Sequence, residues 1–515
     1  MKILSAQQIK AVDLATIESE LVSSVELMER AAFQCANHIK KLSEPFHSIL
    51  FVCGQGNNGG DGLAIARILF EYFSSQLISK QISVFVVGKL QKSSPDFLVN
   101  LERIRLCTEI SITETNEDNF HDFLHAIQSC STSALFVDCI FGTGLNKAVT
   151  GLHADVIKAL NKFARSIVSV DLPSGLFADQ STLSTHDAVI HSSLTLTFQY
   201  PKLGLLMAEN YLFCDNFLVL DIGLHSASIE VQQSPFYFLE RKEIQFLLRG
   251  RKKFSHKGTY GHALLACGSY GMSGAAVLSV HACTRSGVGL VTAHLPTALV
   301  NILQQSVPEA IVYPDTDEKK LTYCRDFINY SSLGIGPGIG TDGDTAAYLK
   351  NIIQHYSGRL LLDADALNIL SDNKTWLAFL RPQTIITPHP KEFDRLFGSH
   401  TSDFDRLETA RENAIKFSLV IVLKGAHTAV VTSTGKVYFN STGNAGMSKG
   451  GSGDVLTGLI TGLLARGYEP IESCLLGVYL HGLAGDLARD EYGMEAMKAS
   501  DIIRKIPNAF QQLYY

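Results

Sequence analysis

Two glycine-rich stretches of this 515-residue chain hold the residue types best suited to chemistry. The first, VCGQGNNGGDGLAIARIL from Val52 to Leu69, places glycines and two asparagines before Asp61. The second, NAGMSKGGSGDVLTG from Asn444 to Gly458, places four glycines, two serines and a lysine before Asp454. Glycines let a backbone approach a phosphate, and a helix that follows them points its free N–H groups at it. The two stretches are therefore two phosphate sites, two tight turns, or two parts of one function.

The segment GQGNNG, Gly54 to Gly59, fits the GxGxxG pattern of dinucleotide-binding folds, between a predicted strand and a predicted helix. That pattern requires an acid about 20 residues later, at the end of the next strand, to hold a ribose hydroxyl. Here the next strand ends in VFVVGKLQK, which contains no acid, so a standard dehydrogenase is disfavoured. Asn57, Asn58 and Asp61 instead offer amides and a carboxylate that coordinate a hard cation or hold a ribose or an amide.

Two further acids end later predicted strands: Asp138 in FVDCIFGTGL and Asp171 in VSVDLPSG. The carboxyl ends of parallel strands lie along one edge of a sheet, and ligands bind at that edge. We therefore expect Asp61, Asp138 and Asp171 to line one crevice. The alternative is that each acid caps a helix.

The second stretch lacks the GxxxxGK[ST] pattern of a Walker A loop. Its segment GMSKG, Gly446 to Gly450, matches the GxSxG of a hydrolase elbow, but an elbow must follow a strand directly. A polar loop separates it from the strand VYFN, which disfavours an elbow. Successive glycine amides before a helix bind an anion, and Asp454 beside them could take a proton from an attacking hydroxyl. The alternative is a glycine-rich helix start with Asp454 as partner of the helix dipole.

Short apolar runs separated by helix-length segments must position these loops. Runs that are apolar on both faces are typical of parallel strands covered by helices, so the pattern predicts an α/β protein. In the first half they are SILFVC, ISVFVVG, ALFVDCIFG, SIVSVDLPSG, LTLTFQY and FLVLDIG. In the second half they are HALLACG, GLVTAHL, SSLGIGPG, LLLDADAL, TIITPHP and SLVIVLKG.

The length predicts two or three domains. A polar passage without glycine, Leu224 to Ile244, separates the two sets of strands, and we place the boundary near Gln233. The predicted domains are residues 1–224 and 235–515. Because Asp61 comes early in the first and Asp454 late in the second, an internal duplication is disfavoured.

Composition narrows the class of protein. Hydrophobic residues make up 46% and charged residues 18%, as in globular proteins, and the net charge of −6 provides no basic field for nucleic acid or anionic lipid. The N-terminus lacks the apolar core of a signal peptide, and the run Val455 to Ala465 is too short to span a bilayer. The ten cysteines form no CxxC pair. We expect a soluble, cytoplasmic protein with reduced thiols and no membrane or nucleic-acid partner.

The motifs of the first half together resemble the epimerase half of the NAD(P)H-hydrate repair enzymes, over about 220 residues. They are LMERAA, NNGGDGL, DCIFGTGL and VDLPSG. The resemblance implies a Rossmann-like three-layer domain that interconverts the R and S forms of hydrated NADH and NADPH (NADHX and NADPHX). It also implies a K⁺ site made of Asn58, Asp138 and Ser174. Asp171 is the candidate proton carrier of the ring. The implied substrate contacts are Asn57, Asn58, Gly59, Gly60, Asp61, Gly142, Thr143, Gly144, Leu145, Asn146, Lys147, Ala148 and Asp171.

The second half resembles the dehydratase half of the same family, with a ribokinase-like fold whose GxGD turn forms an anion hole and supplies a general base. The motifs are GSYGMSGAAVLSVHACTRSGVGLVT, GIGPGIG, DADALNIL, TPHPKEFDRL, VLKGAHTAV and GGSGD. By resemblance, Asp454 is catalytic. The hydrated substrate contacts Ala275, Gly338, His389 and Asp454, and the adenine nucleotide contacts Lys424, Gly425, Ala426, His427, Thr428 and Gly453. The residue-level alternatives are a satisfied loop histidine for His389 and a salt-bridged structural lysine for Lys424.

The resemblance makes the two loops two sites for one damaged cofactor. Phosphorylation turns the poorly leaving ring hydroxyl of the S hydrate into phosphate, and the epimerase makes both epimers recoverable. Mg²⁺ would screen the phosphates. Fused chains of this kind imply ADP as donor, and the branch implies a homo-oligomer. The alternatives are a ribokinase-type vitamin kinase fused to a Rossmann-like domain, and a first half that serves only as a binding scaffold.

Overall fold

The computed structural model describes residues 1–130, 132–323 and 327–514. Two compact units form within it. The first unit comprises Lys2–Ser234 with Ser402–Phe404, and the second comprises Met1, Pro235–Thr401 and Asp405–Tyr515. No helix within the described residues is long and apolar enough to cross a bilayer. The nine cysteines in those residues are free thiols.

The first unit is built on a seven-stranded sheet in which every strand pair is parallel. Its strands are β1 (Ser48–Cys53), β2 (Gln81–Val87), β3 (Ser111–Thr115), β4 (Ala134–Cys139), β5 (Ile167–Val170), β6 (Leu194–Phe198) and β7 (Phe217–Leu220). The strand order is β3-β2-β1-β4-β5-β6-β7. Order 3-2-1-4-5-6 is that of the doubly wound Rossmann fold, and its direction reverses between β1 and β4.

Helices cover both faces of this sheet. The helices of the first unit are α1 (Ala6–Glu20), α2 (Ser24–Leu42), α3 (Asn57–Ser75), α4 (Pro95–Arg105), α5 (Phe120–Cys130), α6 (Leu152–Phe163) and α7 (Ser226–Glu230), and α2 to α6 pack on the sheet. The strand period of two divides the core. Phe51 of β1 packs in the cluster that contains residues of α2, α3 and α4, and its neighbours Leu50 and Val52 pack with α5 and α6. The predicted three-layer Rossmann-like arrangement is thus confirmed.

The second unit contains a ten-stranded mixed sheet. Its strands are β8 (Phe236–Phe238), β9 (His262–Ala266), β10 (Leu290–Leu295), β11 (Ile311–Pro314), β12 (Ser332–Ile335), β13 (Arg359–Leu362), β14 (Ile385–Ile386), β15 (Val420–Leu423), β16 (Ala429–Val431) and β17 (Val437–Phe439). The order is β11-β10-β9-β12-β13-β14-β15-β16-β17-β8. The strands from β11 to β15 are parallel, and β16 adds the first antiparallel pair.

The helices of the second unit are α8 (Arg241–Leu247), α9 (Ser273–Arg285), α10 (Val300–Ser306), α11 (Gly343–His355), α12 (Asp365–Asp372), α13 (Pro390–Phe397), α14 (Asp403–Lys416), α15 (Ser452–Ala465), α16 (Pro470–Ala496) and α17 (Ala499–Tyr514). Two glycines of α15 let it approach its neighbour α9. A Cβ at Gly458 would lie 1.9 Å from the Ser279 carbonyl oxygen, and one at Gly462 would lie 2.0 Å from Ser286 Oγ. The glycines that the sequence scatters along this apolar helix therefore allow helix packing.

Candidate functional sites

The first glycine turn, between β1 and α3, is compact. A Cβ at Gly54 would lie 2.1 Å from the Ile140 carbonyl oxygen, and one at Gly59 would lie 1.9 Å from the carbonyl oxygen of Gly54. These two glycines of the GxGxxG pattern thus allow the turn to pack against itself and against the end of β4. The turn delivers Asn57, Asn58, Gly59, Gly60 and Asp61 to the N-terminus of α3.

The structure brings Asn58, Gly142 and Asp171 together. The Cβ position of Gly142 lies 3.3 Å from Asn58 Cγ and 2.5 Å from Asp171 Oδ2, so a larger residue at 142 would displace both side chains. Both polar atoms of the Asn58 amide are buried and have no hydrogen-bond partner among the residues that the structure describes. Buried amides are normally paired, so this one is available to a ligand.

Asp138 and Ser174 form the neighbouring part of this site. The Ser174 hydroxyl donates to Asp138 Oδ1 at 2.6 Å, and the Ser174 backbone N–H donates to Oδ2 at 2.9 Å. The Ser169 hydroxyl also donates to Oδ2, at 2.8 Å. Burial raises the pKa of Asp138, and these hydrogen bonds act in the opposite direction. The loops after β4 and β5 are therefore linked through one buried carboxyl group.

These residues fit a monovalent cation better than a transition metal. The Asn58 amide lies beside Gly142, and the preceding residue, Phe141, donates its backbone N–H to the Ser174 hydroxyl that binds Asp138. Within the described residues, no group of three His, Cys, Asp or Glu side chains is arranged to hold a metal ion. The donor set therefore consists mainly of hard oxygens, as alkali and alkaline-earth ions require.

Asp171 is held in an unusual position by three donors. Its φ of +68° is in the left-handed region. Thr143 donates to Oδ2 from its backbone N–H and its hydroxyl, both at 2.6 Å, and Lys202 Nζ lies 2.9 Å from Oδ1. Although burial acts to raise it, the pKa of Asp171 is lowered overall by Lys202 and Thr143. Asp171 is thus a carboxyl group whose charged form is favoured at the end of β5.

Two other carboxyl groups nearby have the opposite tendency. Burial, followed by the charge of Asp171, raises the pKa of Asp61 well above its ordinary value. Burial and the same charge raise the pKa of Asp13, on α1, to about 6. Asp13 and Lys202 were not predicted from the sequence. No motif marks them, since α1 and the segment after β6 supply them only once the chain is folded.

The remaining predicted contacts of this half lie on the loop after β4. Leu145 N–H donates to the Gly142 carbonyl oxygen at 3.1 Å, which closes a turn. Gly144, Asn146, Lys147 and Ala148 are exposed on that loop. Thr143 of the same loop binds Asp171, and the substrate contacts of the exposed residues stay a prediction.

The second glycine turn begins α15 in the second unit. Gly451 has a φ of +93°, which favours glycine, and it is followed by Ser452, Gly453 and Asp454 in the first helical turn. Ser452 Oγ is buried and has no hydrogen-bond partner within residues 1–130, 132–323 and 327–514. Burial, followed by the charge of Asp363, raises the pKa of Asp454 to about 7, and Lys424 acts in the opposite direction. A carboxyl group that titrates near neutrality at a helix N-terminus is suited to general base catalysis.

Lys424 brings a positive charge to this turn. Its Nζ lies 2.8 Å from Asp363 Oδ1, 3.7 Å from Glu392 Oε2 and 3.6 Å from the Cβ position of Gly453. Burial acts to lower the pKa of Lys424, but Asp363 and Glu392 raise it overall. Lys424 is therefore salt-bridged, which agrees with the alternative of a structural lysine. It also lies at the predicted anion hole.

His389 begins α13 as its N-cap. Its Nδ1 accepts hydrogen bonds from the backbone N–H groups of Lys391 at 3.1 Å and Glu392 at 3.3 Å. Its Nε2 lies 3.4 Å from Glu392 Oε1. The pKa of His389 is lowered, chiefly by burial. The ring is thus neutral, and its Nδ1 is satisfied by backbone N–H groups. The roles of satisfied loop histidine and substrate contact are therefore compatible for His389.

Ala275 and Gly338 also meet. Gly338 has a φ of +63°, and its Cβ position lies 3.0 Å from the Ala275 Cβ. Ser269 Oγ donates to the Gly338 carbonyl oxygen at 2.8 Å. The small residue Gly338 therefore allows close packing at this point, because a side chain there would press against both Ala275 and Met272.

The predicted nucleotide segment, Lys424 to Thr428, forms a tight turn. The Thr428 hydroxyl donates to the Gly425 carbonyl oxygen at 3.1 Å, and Gly425 and Ala426 are exposed. His427 is different, because its Nδ1 lies 3.1 Å from the Asn440 carbonyl oxygen. The His427 ring is thus attached through Nδ1 to the residue that follows β17.

Four carboxyl groups surround Lys424 and the glycine turn, namely Asp363, Asp365, Glu392 and Asp454. Of these only Asp454 was predicted as a site residue, although the motif DADAL contains two others. Within the described residues no three acids converge as a metal cage. The excess of negative charge over one ammonium fits Mg²⁺, which is commonly held by one or two carboxylates together with substrate phosphates.

The lysine of the segment GMSKG has a structural role. Lys449 Nζ donates to the carbonyl oxygens of Met494 at 3.2 Å and Met497 at 2.8 Å. This lysine is therefore directed at the end of α16 and does not act as a Walker-type phosphate ligand.

Comparisons with known proteins give matches to both units. A family model described as NAD(P)H-hydrate dehydratase matches residues 263–508, and one described as YjeF-related protein N-terminus matches residues 24–204. A bifunctional NAD(P)H-hydrate repair enzyme of Moorella thermoacetica is 34% identical over 100% of this chain and 97% of its own length. One of the same description from Escherichia coli is 31% identical over 93% of this chain and 88% of its own.

One solved structure is similar to the second half. It is an ADP/ATP-dependent NAD(P)H-hydrate dehydratase of Bacillus subtilis, co-crystallised with ATP and Mg²⁺. It is 30% identical, covers 54% of this chain and 98% of its own, and has a TM-score of 0.47.

Proposed function

The chain belongs to the family of bifunctional NAD(P)H-hydrate repair enzymes, and we propose how its two units divide the repair of hydrated NADH and NADPH. The first, Rossmann-like unit is the epimerase, and the second, ribokinase-like unit is the dehydratase. The roles of individual residues rest on the geometry of the two sites.

In the dehydratase, Asp454 takes the proton from the ring hydroxyl of the S hydrate. The freed oxygen attacks the terminal phosphorus of ADP, forming a phosphate ester and releasing AMP. The lone pair of the ring nitrogen then expels phosphate, and loss of a proton from the adjacent carbon restores the dihydronicotinamide. Backbone N–H groups at Gly451 to Gly453 stabilise the charge on the transferred phosphoryl group.

The observation that carries this proposal is the position of Asp454. With a pKa of about 7, a large fraction of the Asp454 carboxyl groups is ionised at neutral pH, and the carboxylate is still basic enough to accept a proton. It is also the only acid of the stretch Asn444 to Gly458. The relatives of the same family support the dehydration reaction, and the surroundings of Asp454 support its role as the base.

We propose that Ala275, Gly338 and His389 contact the hydrated ring. We propose that Lys424 to Thr428 and Gly453 contact the nucleotide. The Lys424 charge, 3.6 Å from the Gly453 Cβ position, supports a phosphate contact there. Glu392 and Asp363, which share Lys424, would hold Mg²⁺ together with the phosphates. When bound, the ion would neutralise phosphate charge.

In the epimerase, we propose an acid–base pair. Inverting the hydroxyl-bearing ring carbon requires its bond to the hydroxyl oxygen to break and re-form. The hydroxyl takes a proton and leaves as water, expelled by the lone pair of the ring nitrogen, and water then adds to the opposite face of the carbon and gives up a proton. This needs one proton donor and one proton acceptor. Asp171, whose pKa is lowered, is the acceptor, and Asp61, whose pKa is raised, is the donor. Carboxyl groups whose environments separate their pKa values commonly divide acid and base roles.

We propose that K⁺ is held by Asn58, Asp138 and Ser174. The unpaired Asn58 amide supports this site. Bound there, the ion would supply positive charge between the turn before α3 and the loops after β4 and β5. The substrate would lie along Asn57 to Asp61 and Gly142 to Ala148. We further propose a cytoplasmic homo-oligomer.

A coupled assay tests both activities. Hydrated NADH, separated into R and S forms, is offered with ADP and Mg²⁺, and absorbance at about 340 nm reports the restored ring. We expect recovery from S directly and from R after epimerisation. Accumulation of a stable phosphorylated alcohol without restored NADH would contradict the dehydratase, and recovery limited to S would contradict the epimerase.

A further inference from the structure

A cavity of the second unit outside both sites is lined by arginines. It has a volume of about 380 Å³ and is bordered by Arg251, Arg285 and Arg466, with Phe510 and Tyr514 as aromatic walls. We call it the arginine pocket. Its volume is within the range of small-molecule sites.

The three guanidinium groups lack acidic partners. Among the residues that the structure describes, no carboxylate forms an ion pair with any of them. Arg251 donates to the Gly287 carbonyl oxygen, and Arg466 Nη1 donates to the Ser286 carbonyl oxygen at 3.0 Å. Arg466 Nε is buried and has no hydrogen-bond partner in the described part of the chain. By contrast, neighbouring Arg249 is paired with Glu472 at 2.6 Å.

Two of these positive charges converge on one point. The Cβ position of Gly287 lies 3.0 Å from Arg466 Nη1 and 3.4 Å from Arg251 Nη2. Gly287 has a φ of +83°, so glycine is favoured there for backbone reasons as well. Like charges held this close repel, and the repulsion is reduced when an anion lies between them.

Helix capping explains only part of the arrangement. Ser286 is the C-cap of α9 and Arg466 is the C-cap of α15, so the arginines face the negative ends of two helix dipoles. Each helix end modestly stabilises a nearby cation. Arg285 donates no hydrogen bond to a carbonyl group among those assigned in the described residues, yet it borders the same cavity. Three positive charges on one cavity therefore exceed what capping requires.

We propose that the arginine pocket binds a nucleoside polyphosphate, with its phosphates on the guanidinium groups and its base against the aromatic walls. Arginine suits this role because its planar group binds phosphate oxygens in pairs. The exposed Tyr514 ring and the Arg251 group stacked 4.1 Å from the Tyr260 ring provide flat surfaces for a base.

The pocket is separate from the dehydratase site. Asp454 lies in the first turn of α15 and Arg466 follows its last residue, and α15 has 14 residues. At 1.5 Å per residue, the two positions are roughly 20 Å apart along the helix axis. A ligand in the arginine pocket would thus occupy the end of α15 opposite to the transferred phosphate.

Isothermal titration of the full chain with inorganic tripolyphosphate tests the site. We compare the wild type with the double variant Arg251→Gln/Arg285→Gln, which leaves the capping residue Arg466 in place. We expect the double variant to lose one binding event, or to bind it at least tenfold more weakly, with unchanged dehydratase activity and melting temperature. The matched control is Arg504→Gln, since Arg504 is exposed and paired with Asp501; its titration should equal that of the wild type.

Equal titrations of the wild type and the double variant would overturn the proposal. A second probe separates the nucleoside from the phosphates. Binding of ATP at this site that is tighter than that of tripolyphosphate, and weaker again in Tyr514→Ala, supports a nucleotide. Equal affinity for the two probes would overturn the nucleoside part. If Arg251→Gln/Arg285→Gln unfolds, the single variant Arg285→Gln, which removes no assigned hydrogen bond, decides the same question with a smaller expected loss of about threefold.

Discussion

Lys424 Nζ lies 2.8 Å from Asp363 Oδ1, and Thr457 of α15 donates to the other carboxylate oxygen of Asp363 at 2.6 Å. This ion pair joins the residue after β15 to the residue after β13 and attaches both to the helix that contains Asp454. The charges oppose each other at Asp454, since Asp363 raises its pKa and Lys424 lowers it. The protonation of Asp454, the proposed base, thus depends on the Lys424–Asp363 ion pair, of which it is not a member.

Asp454→Asn should abolish dehydration of the S hydrate while making the fold more stable at neutral and alkaline pH. The raised pKa means that the folded state holds a proton which the unfolded state has lost. The wild type therefore loses stability as pH rises from about 4 to about 7, by roughly 3 kcal/mol, and the asparagine variant does not. Thermal melts of both proteins between pH 4 and 9 measure the difference.

The exposed Asp372→Asn is the matched control, and it should follow the wild type at every pH. A constant difference between Asp454→Asn and the wild type across this range would contradict the raised pKa. Normal turnover by Asp454→Asn would contradict the proposed base.

The dehydratase should lose kcat/KM about tenfold per pH unit below pH 7, because only ionised Asp454 accepts the proton. Lys424→Gln should move this acid limb upward by about one pH unit, since a cation that favours the ionised form is gone. It should also raise KM for the nucleotide. The measurement is the pH profile of kcat/KM, with Lys374→Gln, an exposed lysine, as control. A limb that stays in place would show that Lys424 does not act on Asp454.

Asn58→Ala should remove the response of the epimerase to K⁺. The Asn58 amide has no partner to lose, so the variant should fold at least as well as the wild type. We expect K⁺ to raise both the melting temperature and the epimerisation rate of the wild type, relative to Li⁺, and to leave the variant unchanged. Dehydration of the S hydrate by the same preparation serves as control for the intact second unit. A K⁺-dependent melting temperature in Asn58→Ala would exclude this residue as a ligand.

Asp61→Asn and Asp171→Asn should both abolish epimerisation but change stability in opposite directions. The raised pKa of Asp61 means that its charge destabilises the fold as pH rises toward its folded pKa, so asparagine should stabilise. The lowered pKa of Asp171 means that its charge stabilises the fold above its unfolded pKa. Its replacement removes the carboxylate that forms the ion pair with buried Lys202, at a cost of about 3–5 kcal/mol.

Melting temperatures of the two variants at pH 7, together with R-to-S conversion rates, test this pair. If both variants lose the same stability, the opposite electrostatic roles of the two carboxyl groups are wrong. If Asp61→Asn still interconverts the epimers, Asp61 is not the proton donor.

The sequence predicted the α/β class and most of the strands, because buried parallel strands are uniformly apolar. It missed β3, β8, β11 and β16, which lie at or near sheet edges and are short or mixed in polarity. Local motifs also marked the two glycine turns, since tight turns before helices require particular residues at fixed spacing.

The partners of the catalytic acids could not be predicted in this way. Lys202 reaches Asp171 from 31 residues further along the chain, and Lys424 reaches Asp363 from 61 residues further along. Asp13 approaches from a helix at the other end of the first unit's sequence. Such contacts depend on tertiary packing, which a pattern of residues along the chain does not encode at fixed spacing.

The left-handed backbone at Asp171 has a further consequence. With a φ of +68°, the position would suit glycine better than any residue with a Cβ, so replacement by glycine would relax the main chain. If only the stability of the fold mattered, glycine would be favoured at this position. An aspartate at this position therefore accepts backbone strain in exchange for a reactive carboxylate. We expect relatives that have lost the epimerase reaction to replace this aspartate early.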